Sequence, residues 1–131
     1  MAKRPFLTLA AAAAAIALVA VAPRAHAADK TVTITMTDKP PRFIPDKLTI
    51  PVGTTVVWKN TAKTLHDVST DASSAQNPND VKLPPGAESF DSGFMPPDGT
   101  FSYTFKTPGD YTYFCIPHEK DGMVAHLTVT K

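Results

Sequence analysis

Apolar and polar residues alternate one by one along most of this chain, and proline or glycine cuts the alternation every few residues. Val32, Ile34 and Met36 are interleaved with four threonines, and Phe101, Tyr103 and Phe105 share one parity. A repeat of two is the signature of half-buried strands, because successive side chains point to opposite faces. Thirteen prolines oppose a mainly helical domain, since each breaks a helix interior. The pattern predicts strands over residues 31–37, 47–51, 54–59, 66–70, 88–91, 100–106, 110–115 and 123–130. Val56 and Trp58 share a face in the third of these. Lys39-Pro40-Pro41 and Pro45-Asp46 read as breaks, and residues 71–87 as the least regular stretch. About eight short strands with frequent turns make an all-β antiparallel sandwich or barrel.

The first 27 residues are set apart from that pattern. Lys3 and Arg4 precede an apolar run over residues 7–22, followed by Pro23 and Ala25-His26-Ala27. A basic start, an apolar middle and an A-x-A end form a secretory signal peptide, cleaved after Ala27. The run is shorter than the ~20 residues of a spanning helix, so no stable membrane association is expected after cleavage. Residues 28–131 then form one domain, exported to the periplasm. It carries 10 basic and 12 acidic side chains and no basic run, which excludes nucleic acid as a partner. Its single cysteine, Cys115, cannot form an intrachain disulfide. In an exported protein such a thiol pairs between chains, reacts, or binds a metal.

The segment 111–123 carries the chemistry. Cys115, His118 and Met123 are spaced C-x2-H-x4-M, with Pro117 and Gly122 bending the loop between two strands. His66, 49 residues upstream of Cys115 and just after a polar loop, is the candidate fourth ligand. One thiolate, two imidazoles and one thioether form a soft donor set, which suits copper in either oxidation state. Structural zinc prefers Cys and His at other spacings and does not usually take methionine. His126 alternates in step with Thr128 and Thr130 and reads as a solvent-facing sheet residue.

These residues sit in a wider pattern that resembles the cupredoxins of the plastocyanin and pseudoazurin type. The resemblance runs through Phe43, Pro45, Leu48, Ile50, Val52, Gly53, Val56, Trp58 and Asn60, then His66-Asp67-Val68. It continues through Phe90-Asp91-Ser92-Gly93 and residues 100–105. It is most specific at Pro108-Gly109-x-Tyr111-x-Tyr113-Phe114-Cys115-x-Pro117-His118. The resemblance implies a Greek-key β-sandwich with one type 1 copper ion held by His66, Cys115, His118 and Met123. It implies a one-electron carrier, not an enzyme, acting as a monomer between redox proteins that serve as donor and acceptor. These would dock near His118, with Leu65 and Pro117 in an apolar patch and Glu119, Lys120 and Asp121 at its border. The alternative is a copper chaperone or storage protein using the same ligands. Asp67 stands where the family often has Asn, whose side chain ties the two ligand loops together. Ile116 stands where Ser or Thr is common, and Phe114 replaces the Tyr of plant plastocyanins.

Overall fold

The computed structural model describes residues 30–131, so the leader read over residues 1–27 lies outside the described residues. Among the described residues there are seven strands: β1 (Thr31–Asp38), β2 (Pro41–Ile44), β3 (Lys47–Pro51), β4 (Thr55–Asn60), β5 (Thr100–Thr104), β6 (Gly109–Phe114) and β7 (Val124–Thr130). They form a four-stranded sheet in the order β2-β1-β4-β5 and a three-stranded sheet in the order β3-β7-β6. The chain changes sheets after β2, β3 and β5, so neighbours in sequence are often partners across the core.

Both sheets are mixed. β1 runs parallel to β4, and β3 parallel to β7, whereas the remaining pairs are antiparallel. This corrects the expectation of a purely antiparallel sandwich. Alternation fixes which face a residue occupies but not which strand lies beside it. The segments at 66–70 and 88–91 are not strands either. They make only isolated pairings, His66 with Met95 and Ser69 with Asp91 and Phe114. β2 lies between the two breaks expected at Lys39-Pro40-Pro41 and Pro45-Asp46, and takes its first residue from the first of them. Pro41 is its first residue and β2 is an edge strand, where a missing N–H costs no ladder bond.

The inner faces meet in one cluster. Ile34, Met36, Val56 and Trp58 come from the larger sheet, and Ile50, Tyr111, Tyr113, Ala125, Leu127 and Val129 from the smaller. Each fully buried large apolar side chain contributes about 1.5–3 kcal/mol relative to exposure. Trp58 is the hub. Its ring lies edge-on to Tyr113 at 5.5 Å, and its indole N–H donates to the Tyr113 hydroxyl at 3.2 Å. Phe43 from β2 meets Tyr113 edge-on at 4.9 Å. Among the described residues, no buried side-chain nitrogen or oxygen lacks a hydrogen-bond partner. His126, Thr128 and Thr130 lie on the exposed face of β7, as their alternation predicts.

Residues 61–99 join β4 to β5 without a named strand. They contain two short 3-10 turns, Ala72–Ser74 and Pro78–Asp80. Asp71 and Asn77 cap these turns by accepting the Ser73 and Asn79 N–H groups. This long connection brings His66 to the end of the sandwich where β6 leaves its sheet.

Candidate metal centre

The β6–β7 ladder places two of the four candidate residues opposite each other. Its last pair is Phe114 with Val124, and the next step joins the Cys115 N–H to the Met123 carbonyl at 3.0 Å. The intervening residues form a 3-10 helix, Ile116–Asp121, with Cys115 at its start. Gly122 ends it in the left-handed region (φ 80°), and its N–H returns to the Glu119 carbonyl at 2.9 Å. Proline near the start and glycine at the end explain why this arch forms between two strands. Arg42 of β2 braces it from outside, donating through Nη1 to the Asp121 carbonyl at 2.8 Å.

His66 is fixed from the other side. Asn60, at the end of β4, donates to the carbonyls of Thr64 at 2.8 Å and Met95 at 3.0 Å, and accepts from the Ala62 N–H. That holds the 61–65 loop and sets His66 against Met95, with the Met95 N–H on the His66 carbonyl at 2.7 Å. The His66 and His118 rings lie 4.5 Å apart, tilted by 36°.

The result is a convergent donor set. One donor atom each from His66, Cys115 and His118 lies within 4.8 Å of the others. Cys115 Sγ is 3.6 Å from His66 Nδ1 and 3.5 Å from His118 Nδ1. A trigonal ion with N and S bonds of about 2.1 and 2.3 Å would separate such donors by roughly 3.8 Å. The spacing therefore fits a soft metal ion. His66, Cys115 and Met123 are fully buried, whereas His118 is only partly so.

Burial sets the electrostatics. It pushes the Cys115 thiol up to about 12 and Asp67 up to about 6. His118 is held below its ordinary value by burial and by the neighbouring His66. In the metal-free protein Cys115 and His118 thus favour their neutral forms. A bound cation supplies the positive charge that a thiolate in this position requires.

Asp67 links the two ligand-bearing segments in two ways. Its N–H points to Cys115 Sγ at 3.5 Å, and its carboxylate accepts the Ile116 N–H at 2.7 Å. The bridge uses the Ile116 backbone, so neither Asp in place of Asn nor Ile in place of Ser or Thr removes it.

One expectation is corrected. Glu119 is not a docking charge. It is 6% exposed, and its carboxylate accepts the N–H groups of Gln76 and Asn77, both at 2.9 Å. The apolar side chain of a strand signals its own burial, but a buried carboxylate is betrayed only by the donors the fold brings to it. Lys120, Asp121, Leu65 and Pro117 are exposed, as expected. Sequence reasoning missed Phe94, which is 61% exposed beside Met95, and also the supporting roles of Asp38, Arg42 and Asn60. Only Asn60 stood in the sequence pattern, and there without a role.

A two-sheet β-fold with a Cys–His–His cluster, completed in sequence by Met123, is that of a cupredoxin with the residue pattern of a type 1 copper site. The family model for copper binding proteins of the plastocyanin/azurin family matches residues 30–130, and the chain belongs to that family. It is 34% identical over 91 residues to a plastocyanin from Scenedesmus fuscus, covering 66% of this chain and 85% of the relative. The fold is similar to oxidised plastocyanin from Dryopteris crassirhizoma (TM-score 0.58, 23% identity, 76% of this chain and 100% of that one). It is also similar to part of a copper-containing nitrite reductase from Thermus scotoductus SA-01 (TM-score 0.60, 27% identity). That match covers 77% of this chain but 22% of the reductase. Copper is the family's metal, and copper-based electron transfer its general function. Among the described residues, no helix is long and apolar enough to cross a membrane.

Proposed function

We propose that this protein is an exported, periplasmic one-electron carrier, with one copper ion held by His66, Cys115, His118 and Met123. The observation that carries the reading is the convergence of three donor atoms within 4.8 Å, one of them on a partly exposed imidazole. Bound copper supplies the chemistry, a reversible change between Cu(II) and Cu(I).

The chain's own residues hold the site for that change. The β6–β7 ladder, the Asn60-braced loop and the Asp67 bridge fix the ligands before any metal arrives. Donors held by the fold rearrange little, which keeps the cost of electron transfer low. Buried His66, Cys115 and Met123 exclude water. His118 is the partly exposed ligand, Leu65 and Pro117 are exposed beside the ligand residues in sequence, and this face is where donor and acceptor proteins dock. A small apolar contact suits a monomeric shuttle that must release its partner quickly. The nitrite reductase likeness spans 22% of that enzyme and does not bring its reaction to this chain.

The test is to add Cu(II) to the purified mature protein. An intense blue absorption band is expected, lost in Cys115→Ala. No band, or a band that persists in that variant, refutes the assignment. Repeated redox cycling without copper loss supports a carrier, whereas release to an acceptor during cycling indicates a chaperone.

A further inference from the structure

The ring edge of His66 that faces away from the cluster is engaged by a carboxylate from a distant strand. His66 Nε2 lies 3.0 Å from Asp38 Oδ1, at the last residue of β1 and 28 positions upstream. Asp38 is positioned independently of the histidine. It accepts the Lys63 N–H at 2.8 Å and the Thr64 hydroxyl. Those contacts anchor the loop that delivers His66 and set a protein donor on each of the two carboxyl oxygens, Lys63 N–H on Oδ2 and the Thr64 hydroxyl on Oδ1. A carboxyl whose two oxygens both accept serves as an acceptor at this contact too, so the hydrogen between it and the ring belongs to Nε2. Nδ1, the nitrogen 3.6 Å from Cys115 Sγ, is then left with a free lone pair.

We propose that Asp38 is a positioning residue for the metal centre. It locks His66 in the Nε2–H tautomer and, through the imidazole, places a negative charge that favours Cu(II) over Cu(I). The inference deepens the copper-carrier reading and rests on it for its second half. A neutral imidazole can carry its hydrogen on either nitrogen, and only one form can ligate through Nδ1. Asp38 removes the choice before metal binds. Its side chain is 22% exposed, so its charge is partly screened. One such charge an imidazole ring away changes the Cu(II)-to-Cu(I) affinity ratio by roughly ten-fold.

Two variants separate hydrogen bond from charge. Asp38→Asn keeps an acceptor and loses the charge, and Asp38→Ala loses both. Nitrogen-15 shifts of the metal-free protein should show His66 protonated at Nε2 in wild type, and a mixture of tautomers in Asp38→Ala. In the copper-loaded protein the reduction potential should rise in Asp38→Asn, corresponding to the roughly ten-fold change in affinity ratio. A merely structural role would lower melting temperature without moving the potential. A wild-type His66 protonated at Nδ1, or an unchanged or lower potential in Asp38→Asn, overturns the proposal. Failure to bind copper would sink the carrier reading instead, and the tautomer measurement would still decide the role of Asp38.

Discussion

Replacing Glu119 tests whether the loop after Cys115 is held by a buried clasp. The carboxylate accepts two backbone N–H groups at 2.9 Å, from Gln76 and Asn77, and stands 6% exposed. A hydrogen bond to a charged group contributes about 1.5–3 kcal/mol. Gln76 and Asn77 are themselves exposed residues, so water can reach the freed N–H groups and the lower end applies. Asp80 lies close enough that Glu119 adds to the burial that raises its pKa, and removing that repulsion returns a few tenths of a kcal/mol. Glu119→Ala should therefore destabilise the copper-free protein by about 2–4 kcal/mol. Glu119→Gln keeps one acceptor and should cost about 1–2 kcal/mol. Urea unfolding gives the stability change. Amide exchange at Gln76 and Asn77 gives the local one, and both amides should exchange faster in either variant. The clasp also predicts that Glu119→Gln leaves partner association almost unchanged, whereas charge reversal at exposed Lys120 alters its salt dependence. A loss below about 0.5 kcal/mol in Glu119→Ala, with unchanged exchange at both amides, would refute the reasoning.

The remaining predictions concern Asp67, Gly109 and copper itself. Burial raises the folded-state pKa of Asp67 from 3.8 to about 6, so the folded protein binds more protons between those values. This group's contribution to stability therefore falls as pH rises through that window. Asp67→Asn should stabilise the copper-free protein at pH 7, by at most ~3 kcal/mol and by about 1–2 after solvent screening. The gain should vanish near pH 4, and urea midpoints that show no such convergence would count against it. Gly109→Ala should cost about 2 kcal/mol or more in a thermal melt. Its φ is 136°, and the added Cβ would come within 2.4 Å of Pro84 Cβ. A melt within a degree of wild type would refute that. Free copper at one hundred times its dissociation constant should stabilise the folded protein by about 2.7 kcal/mol. Calorimetry should show the shift in wild type and lose it in Cys115→Ala. No shift in wild type would mean that copper does not bind the folded form.

The sequence by itself determined which strand residues face the core and which residues make up the type 1 copper pattern. Val56 and Trp58, Phe101 and Tyr103, and His126 fall on their expected faces, because side-chain direction in a strand depends only on parity. Cys115, His118 and Met123 were legible together, because one strand–loop–strand segment holds all three. His66 was legible by its chemistry and its place after a polar loop.

Only the tertiary structure decided what lies between sequence-distant segments. The parallel pairing of β1 with β4 depends on which strands meet, and parity does not encode it. The same pairing brings Asp38, at the end of β1, beside the 61–65 loop and onto the His66 ring. Glu119 has the composition of a surface charge and becomes a buried clasp because residues 76–77 fold over it. Asp67 departs from the family's usual residue and still bridges the ligand segments, since its partner is a backbone N–H that every residue except proline offers. Local alternation and spacing act within a few residues and are written in the chain. Polar contacts across 28 to 49 positions exist only once the sheets have closed.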